Sequence, residues 1–373
     1  LRLGFTAFGG PAAHIAMMEQ EFVSRKKLLT REKFLDLVAM ANLIPGPSSS
    51  ETAIYIGQLL AGVPGLIIAG VCFIFPASAI VLLIARFYSS YGALPQVDKI
   101  FYGIKPVVIA ILIQALSQLG KTAVKNKSLA WIGVLGLILN ALGVSAILIL
   151  LIAGILSALV QNRARPLGVG TSMAILFLSL PAFAMSIEPI KPTLDKIFLF
   201  FLKIGSVQFG SGYVLLAFLR EDLVTRWHWL TDAQLLDAIA VGQFTPGPVF
   251  TTATFIGYLL NGISGAAVAT LGIFLPAFIL VPLSAPLIFF LRKSITASAF
   301  LDGVVVASLA LMIYVSISMS RNALIDWESC CICLGCAFLL FKFRLNSAWL
   351  VVGGACLGYL KYVFAHSKCS WHF

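Results

Sequence analysis

Long apolar runs separated by short polar loops dominate the chain. In the first half they fall at 64–87, 98–120, 129–139 and 144–160. In the second they fall at 263–291, 299–320, 329–341 and 347–364, in the same order. Runs of this kind predict membrane-spanning helices, and the ten-residue alternation of a membrane barrel is not present. The runs 129–139 and 144–160 are short, and Asn140 to Gly143 predicts a tight turn between them. A further apolar stretch, about 171–187, has no counterpart.

The halves share landmarks as well as runs. Pro76 answers Pro276, Gly62 answers Gly262, Gly65 answers Gly265 and Gly103 answers Gly303; earlier in each half, Thr30 answers Thr231 and Asp36 answers Asp237. Each half is also interrupted twice. The first has Phe8-Gly9-Gly10-Pro11 and Leu43-Ile-Pro45-Gly46-Pro47. The second has Phe209-Gly210-Ser211-Gly212 and Phe244-Thr-Pro246-Gly247-Pro248. Paired breaks in two apolar halves predict a duplicated transporter, with the substrate held at the breaks. We divide the chain into a first repeat at 1–165, a linking transmembrane helix at 166–193 and a second repeat at 194–373.

One linking helix inverts the second repeat if each half crosses an even number of times. Loop charges point the same way. Lys121, Lys125 and Lys127 fill loop 121–128, and Arg163 and Arg165 fill loop 161–168, whereas 88–97 and 140–143 hold no Lys or Arg. In the second half the basic loops are the counterparts of the latter pair, with Arg292, Lys293, Lys342 and Arg344. Loop 24–33 (Arg25, Lys26, Lys27, Arg31, Lys33) is strongly basic and predicts a cytoplasmic position. Segment 34–62 is then expected to enter and leave on one side, as two half-helices meeting at the Pro-Gly-Pro break; a single kinked crossing is the alternative. Segment 1–22 is a similar hairpin or a surface helix. The fold class is an all-α polytopic membrane protein of two inverted-topology repeats with broken, re-entrant helices.

Composition fits this. The chain is 60% hydrophobic and 11% charged, with mean hydropathy +1.00, against about 25% charged residues in soluble domains. The net charge of +11 sits in short loops, as membrane anchoring requires, and nucleic acid is not expected as a partner. Cys330, Cys331, Cys333 and Cys336 crowd one apolar run with no histidine close by. They read as small packing residues, and no metal or other cofactor is expected. The chain opens on Leu1 inside an amphipathic segment; a few preceding residues are expected to be missing, and no cleavable signal peptide is seen. No Walker loop, nucleophile elbow or zinc-protease motif occurs, so no enzyme activity is expected.

A Pro-Gly-Pro break ends one helix and starts another. The new helix offers free N–H groups and a positive dipole end, to which an anion binds without a charged side chain. Hydroxyls follow each break: Ser48, Ser49, Ser50 and Thr52 in one half, Thr251, Thr252 and Thr254 in the other. They donate to an oxyanion, cap the helix or bond back to the previous turn. The earlier breaks, Gly9-Gly10-Pro11 and Phe209 to Gly212, frame the same guest or pack helices closely through small residues. Asn42 and Gln243 precede the Pro-Gly-Pro breaks and are expected to line the same cavity.

Ionisable residues in apolar segments are functional candidates. Lys105 is a counter-charge for the anion or snorkels to the interface. Glu51, in the first turn after the break, carries a coupling proton or caps the helix. His14 titrates for coupling or is a satisfied structural histidine. Arg86, at a helix end, reads as an anchor. Their counterparts are neutral, so the first half holds most of the ionisable machinery.

The strings LRLGFTAFGGPAAHIAMMEQEFV, LIPGPSSSETAIYIG and YGIKPVV closely resemble the first half of the chromate ion transporter family. FGSGYVLLAFLREDLV and AVGQFTPGPVFTTATFIGYL resemble its second half, so the likeness covers nearly the whole chain. It implies a two-domain secondary transporter that exports chromate across the cell membrane (the inner membrane in a bacterium), driven by membrane potential or a proton gradient. Its motif positions fall on Phe8 to Pro11, Pro45 to Pro47, Lys105 and Pro106, Phe209 to Gly212, and Pro246 to Pro248. Sulfate or another oxyanion as cargo, an anion channel, and a membrane assembly subunit remain alternatives. A homo-oligomer is compatible with the sequence.

Overall fold

The computed structural model describes residues 1–92, 94–161, 191–209, 212–343 and 345–369. The expected linking helix lies outside the described residues. The first half comprises α1 (Arg2–Thr6), α2 (Gly10–Glu19), α3 (Arg31–Ala41), α4 (Ser48–Tyr91), α5 (Pro95–Ala123), α6 (Lys127–Ala141) and α7 (Ala146–Gln161). The second comprises α8 (Leu194–Val207), α9 (Leu215–Leu219), α10 (Asp232–Phe244), α11 (Thr252–Lys293), α12 (Ile295–Ala323), α13 (Trp327–Phe343) and α14 (Ser347–Cys369). No strand occurs among the described residues. Every apolar run named above and described here is helical, and Gly143 (φ +81) makes the turn between α6 and α7.

The 44 residues of α4 would span about 66 Å if straight, twice the apolar thickness of a bilayer. It is not straight. Ala61 and Gly62 leave helical geometry, with Gly62 at φ +60. The limbs fold back so closely that a Cβ at Gly57 would strike the Gly65 carbonyl, and one at Gly65 the Gly57 carbonyl. Asn261 and Gly262 repeat the reversal in α11, and Gly257 meets Gly265. There Thr254 and Thr270 hydroxyls hydrogen-bond across the limbs at 2.8 Å. Small residues are needed because two helix backbones come into contact. α4 and α11 are long and apolar enough to cross a membrane.

Smaller features also recur. Thr30 accepts from the Lys33 amide at 3.3 Å, and its counterpart Thr231 accepts from Gln234 at 3.1 Å, so each caps the helix after a left-handed Lys27 or His228. Gly4 of α1 rests on the Cys72 and Phe73 carbonyls of α4, as Gly205 of α8 rests on Ile273 of α11.

The halves interlock. α5 packs on α13 and α14, while its counterpart α12 packs on α6 and α7; α4 packs on α11 and α5 on α12. Tyr102, near the start of α5, donates to Asp326, just past the end of α12, at 2.6 Å. Lys125, just past the end of α5, reaches Asp302, near the start of α12, at 2.6 Å. α5 and α12 therefore run antiparallel.

Candidate functional site

Both Pro-Gly-Pro breaks are buried in protein, which is where irregular backbone is tolerated inside a bilayer. Gly46 (φ +133) and Gly247 (φ +92) adopt backbone angles that disfavour any side chain. The breaks are tied across the halves. The Gly46 amide donates to the Gln208 carbonyl at 2.8 Å, and the Gly247 amide donates to the Ala7 carbonyl at 2.8 Å. Ala7 and Gln208 are themselves equivalent: each ends a helix in extended backbone just before an earlier break. Each Pro-Gly-Pro turn thus meets the residue just before the other half's earlier break, so the four interruptions form two cross-half pairs.

Four helix starts carry side-chain caps: Thr30, Asn126, Thr231 and Ser294 each accept from a backbone amide, whereas α1, α2, α5 and α8 start without one. The helices after the breaks have none, with Pro47 and Pro248 at their N-cap positions. Ser50 and Glu51 amides close onto Pro47 O, and the Thr251 amide onto Pro248 O. By helix geometry the Ser48 and Ser49 amides, and those of Val249 and Phe250, have no intrahelical acceptor. Each of these helix starts is buried in protein, with its free amides and positive dipole end at the break.

The hydroxyls divide. Thr52 donates to Ser48 O at 2.7 Å, Thr251 to Pro248 O at 2.9 Å and Thr252 to Val249 O at 2.8 Å, so these three bond back to their own turn. They cap nothing. Ser50 Oγ is fully buried with no partner among the described residues. Glu51 is equally buried, and neither carboxyl oxygen has a hydrogen-bond partner there.

The remaining candidates scatter more widely. Gly9 (φ +105) is exposed and lies near Ala13 and Asn346; Gly10 and Pro11 are partly buried. Phe209 is buried, and Gly212 abuts Val249 and Phe250. Gly210 lies outside the described residues. Gln243 is buried but Asn42 is exposed, so this pair does not share one environment. Asn42 is the C-cap of α3, where the chain is still turning towards the break. His14 hydrogen-bonds Ala7 O at 3.1 Å through Nε2. A carbonyl only accepts, so Nε2 carries the proton, and His14 braces the same carbonyl that receives Gly247. Lys105 neither snorkels nor stands free: its Nζ lies 3.3 Å from Asp237 Oδ1 on α10, whose Oδ2 accepts from Tyr88 at 2.8 Å.

Sequence reasoning missed several residues here. Asp237 was visible as an ionisable residue in an apolar run, the criterion that singled out Lys105. Ser78 neighbours Ala77, which touches Gly247, and its hydroxyl is buried and unpartnered among the described residues. Tyr55 hydrogen-bonds Ser284 across the halves. Neither Ser78 nor Tyr55 carries a sequence signal. Cys333 and Cys336 are buried in the core while Cys331 is exposed, which suits packing.

The family model for chromate transporters matches residues 1–158 and 196–359. The chain belongs to the chromate transporter family. A chromate transport protein of Cupriavidus metallidurans is 34% identical over 98% of this chain and 92% of its own length. A probable chromate transport protein of Synechococcus elongatus is 30% identical over 94% and 88%. An uncharacterized transporter of Methanocaldococcus jannaschii is 27% identical over 96% and 92%. No solved structure matches. Family membership and the apolar helices make this chromate transporter homologue a multi-pass protein of the cell membrane.

Proposed function

We propose that this protein is a secondary transporter that exports chromate, a tetrahedral oxyanion, across the cell membrane. Family membership supports the cargo. The observation that carries the mechanism is the reciprocal pair of 2.8 Å hydrogen bonds, Gly46 to Gln208 and Gly247 to Ala7. Through them each Pro-Gly-Pro turn, with the helix start that follows it, is tied to the opposite half; in our reading both helix starts face one seat. The oxyanion binds between them, on the Ser48–Ser49 and Val249–Phe250 amides, with Ser50 and Ser78 hydroxyls in reach. Gly46 and Gly247 shape the seat; their own amides are engaged elsewhere.

The antiparallel α5 and α12 support an inverted repeat, with 1–165 and 194–373 facing the membrane oppositely. Inverted halves around one seat provide alternating access: rocking one half against the other opens the seat to each side in turn. Segments 34–62 and 235–262 enter and leave on one side in this reading.

Labelled chromate and sulfate flux in sealed vesicles tests the proposal, with proton gradient and membrane potential set separately. Saturable chromate movement that responds to an imposed gradient is expected. Currents without saturation indicate a channel instead, and sulfate preferred over chromate reassigns the cargo.

A further inference from the structure

The two broken hairpins are alike in sequence and unlike in surroundings. α3 answers α10, and the second half of α2 answers α9. Leu35 is 51% exposed, whereas its equivalent Leu236 is fully buried. Ala16 is exposed and Ala217 buried, Asp36 exposed and Asp237 buried, Asn42 exposed and Gln243 buried. Every residue from 235 to 243 is buried; from 34 to 42 only Phe34, Leu37 and Ala41 are.

Packing makes the difference. α10 lies against α5, α12 and α14, and α9 lies against α12. The equivalent surfaces for the first hairpin belong to α12, α5 and α7. Neither α2 nor α3 packs comparably on them among the described residues; both rest on α4. Yet α3 is built to be covered on two sides. Phe34, Leu37 and Ala41 form its buried stripe, while Leu35, Val38, Ala39 and Asn42 form a second that is exposed or half-buried. A helix apolar on both sides is the pattern of a helix that docks twice. Asp36 and Asn42 on the open side are polar, so water rather than lipid reaches it.

The docked hairpin also carries a fastening that the open one lacks. Asp237 on α10 is held by Lys105 of α5 at 3.3 Å and by Tyr88 at the end of α4 at 2.8 Å. Lys105 answers Val305, so α12 offers Asp36 no cation in return.

We infer that the structure shows one end of the transport cycle, and that the cycle exchanges the hairpins: α3 docks its second stripe on α12 and α7 as α10 leaves α5 and α14, and the Lys105–Asp237 pair is the latch that opens. This rests on the transporter reading and the inverted repeat above, and adds which end-state is seen. Loop 24–33, cytoplasmic by its charge, leads into the open α3, so the structure is the state open to the cytoplasm. A latch without a twin makes this the resting state.

The test is cysteine labelling of the full chain in sealed vesicles, with an impermeant reagent and a background without native cysteines. Asn42→Cys should react from the cytoplasmic face about tenfold or more faster than Gln243→Cys reacts from either face, as for an alternative state populated at about 1–10%. Lys105→Met with Asp237→Asn removes the latch without stranding a charge. There, labelling at 243 should rise from the opposite face while labelling at 42 falls. A rise at 243 with 42 unchanged is mere loosening and overturns the inference, as do two unchanged rates. A shielded Asn42→Cys in the latched protein, as lipid or a second copy would leave it, overturns it without the double variant. During chromate flux in the latched protein the same exchange should appear, and flux without it sinks this inference alone. Absence of chromate flux sinks the transporter reading instead, and the labelling contrast, which needs no cargo, still decides whether the hairpins exchange.

Discussion

Lys105 Nζ lies 3.3 Å from Asp237 Oδ1, and this ion pair joins α5 of the first half to α10 of the second. Both side chains are largely buried, at 16% and 7% exposure. Their counterparts are Val305 and the exposed Asp36, so the pair has no twin.

Breaking such a pair on one side leaves a buried charge uncompensated. Lys105→Met should lower stability by about 3–5 kcal/mol, seen as a fall in the detergent melting temperature. Adding Asp237→Asn should recover most of the loss. Transport by the double variant then separates two roles. Recovered flux means that Lys105 serves only the pair; a stable protein without flux means that it also answers the anion.

Glycine is required at the breaks for two separable reasons. Gly247 has φ +92, and a Cβ there would come within 2.5 Å of the Ala77 Cβ. Gly262 has φ +56 with open space around it. Gly262→Ala should cost only the left-handed backbone, about 1–2 kcal/mol. Gly247→Ala should cost more, and should abolish flux even in protein that still folds. Melting curves and vesicle flux on the two variants check this ordering.

Glu221 lies outside the spanning helices, and its carboxylate accepts from the Ala146 amide at the start of α7, at 3.1 Å. Burial, reinforced by the neighbouring Asp222 charge, pushes its carboxyl up to about 7 from 4.5. The folded protein thus binds a proton between pH 7 and 4.5 that the unfolded chain does not hold. Stability from this group should rise as pH falls through 7 and level off near 4.5. The melting temperature should gain roughly 3–6 °C over that window, and Glu221→Gln should remove the gain.

The orientation of the halves is open to labelling. Single cysteines at Lys125 and Ile325, in a background without native cysteines, should react with an impermeant reagent from opposite faces of the membrane. Lys125 should be reached from the cytoplasm. Reaction of both from one side removes the inverted repeat.

Much of the architecture was legible in the sequence because a membrane leaves few choices. Apolar runs had to become helices, and Pro-Gly-Pro had to break them. The matched landmarks Gly62 and Gly262 are the sharp reversals of α4 and α11. What could not be read was the pairing between halves. Nothing local to Gly46 names Gln208, 162 residues away, as its acceptor. Lys105 looked like a lone cation because its partner lies on a distant helix. Asn42 and Gln243 looked equivalent by position, yet packing buries one and exposes the other. The hydroxyls gave a mixed answer because Thr52, Thr251 and Thr252 return to their own backbones, a local option always open to them.

Locating the anion tests the centre of the account most directly. A structure of the full chain with chromate bound would place chromium by its anomalous scattering. The expected position is between the two Pro-Gly-Pro breaks, with oxyanion oxygens about 3 Å from the amides of Ser48 or Ser49 and of Val249 or Phe250. Chromium found beside Lys105, or on an outer face with the breaks unchanged, would contradict it.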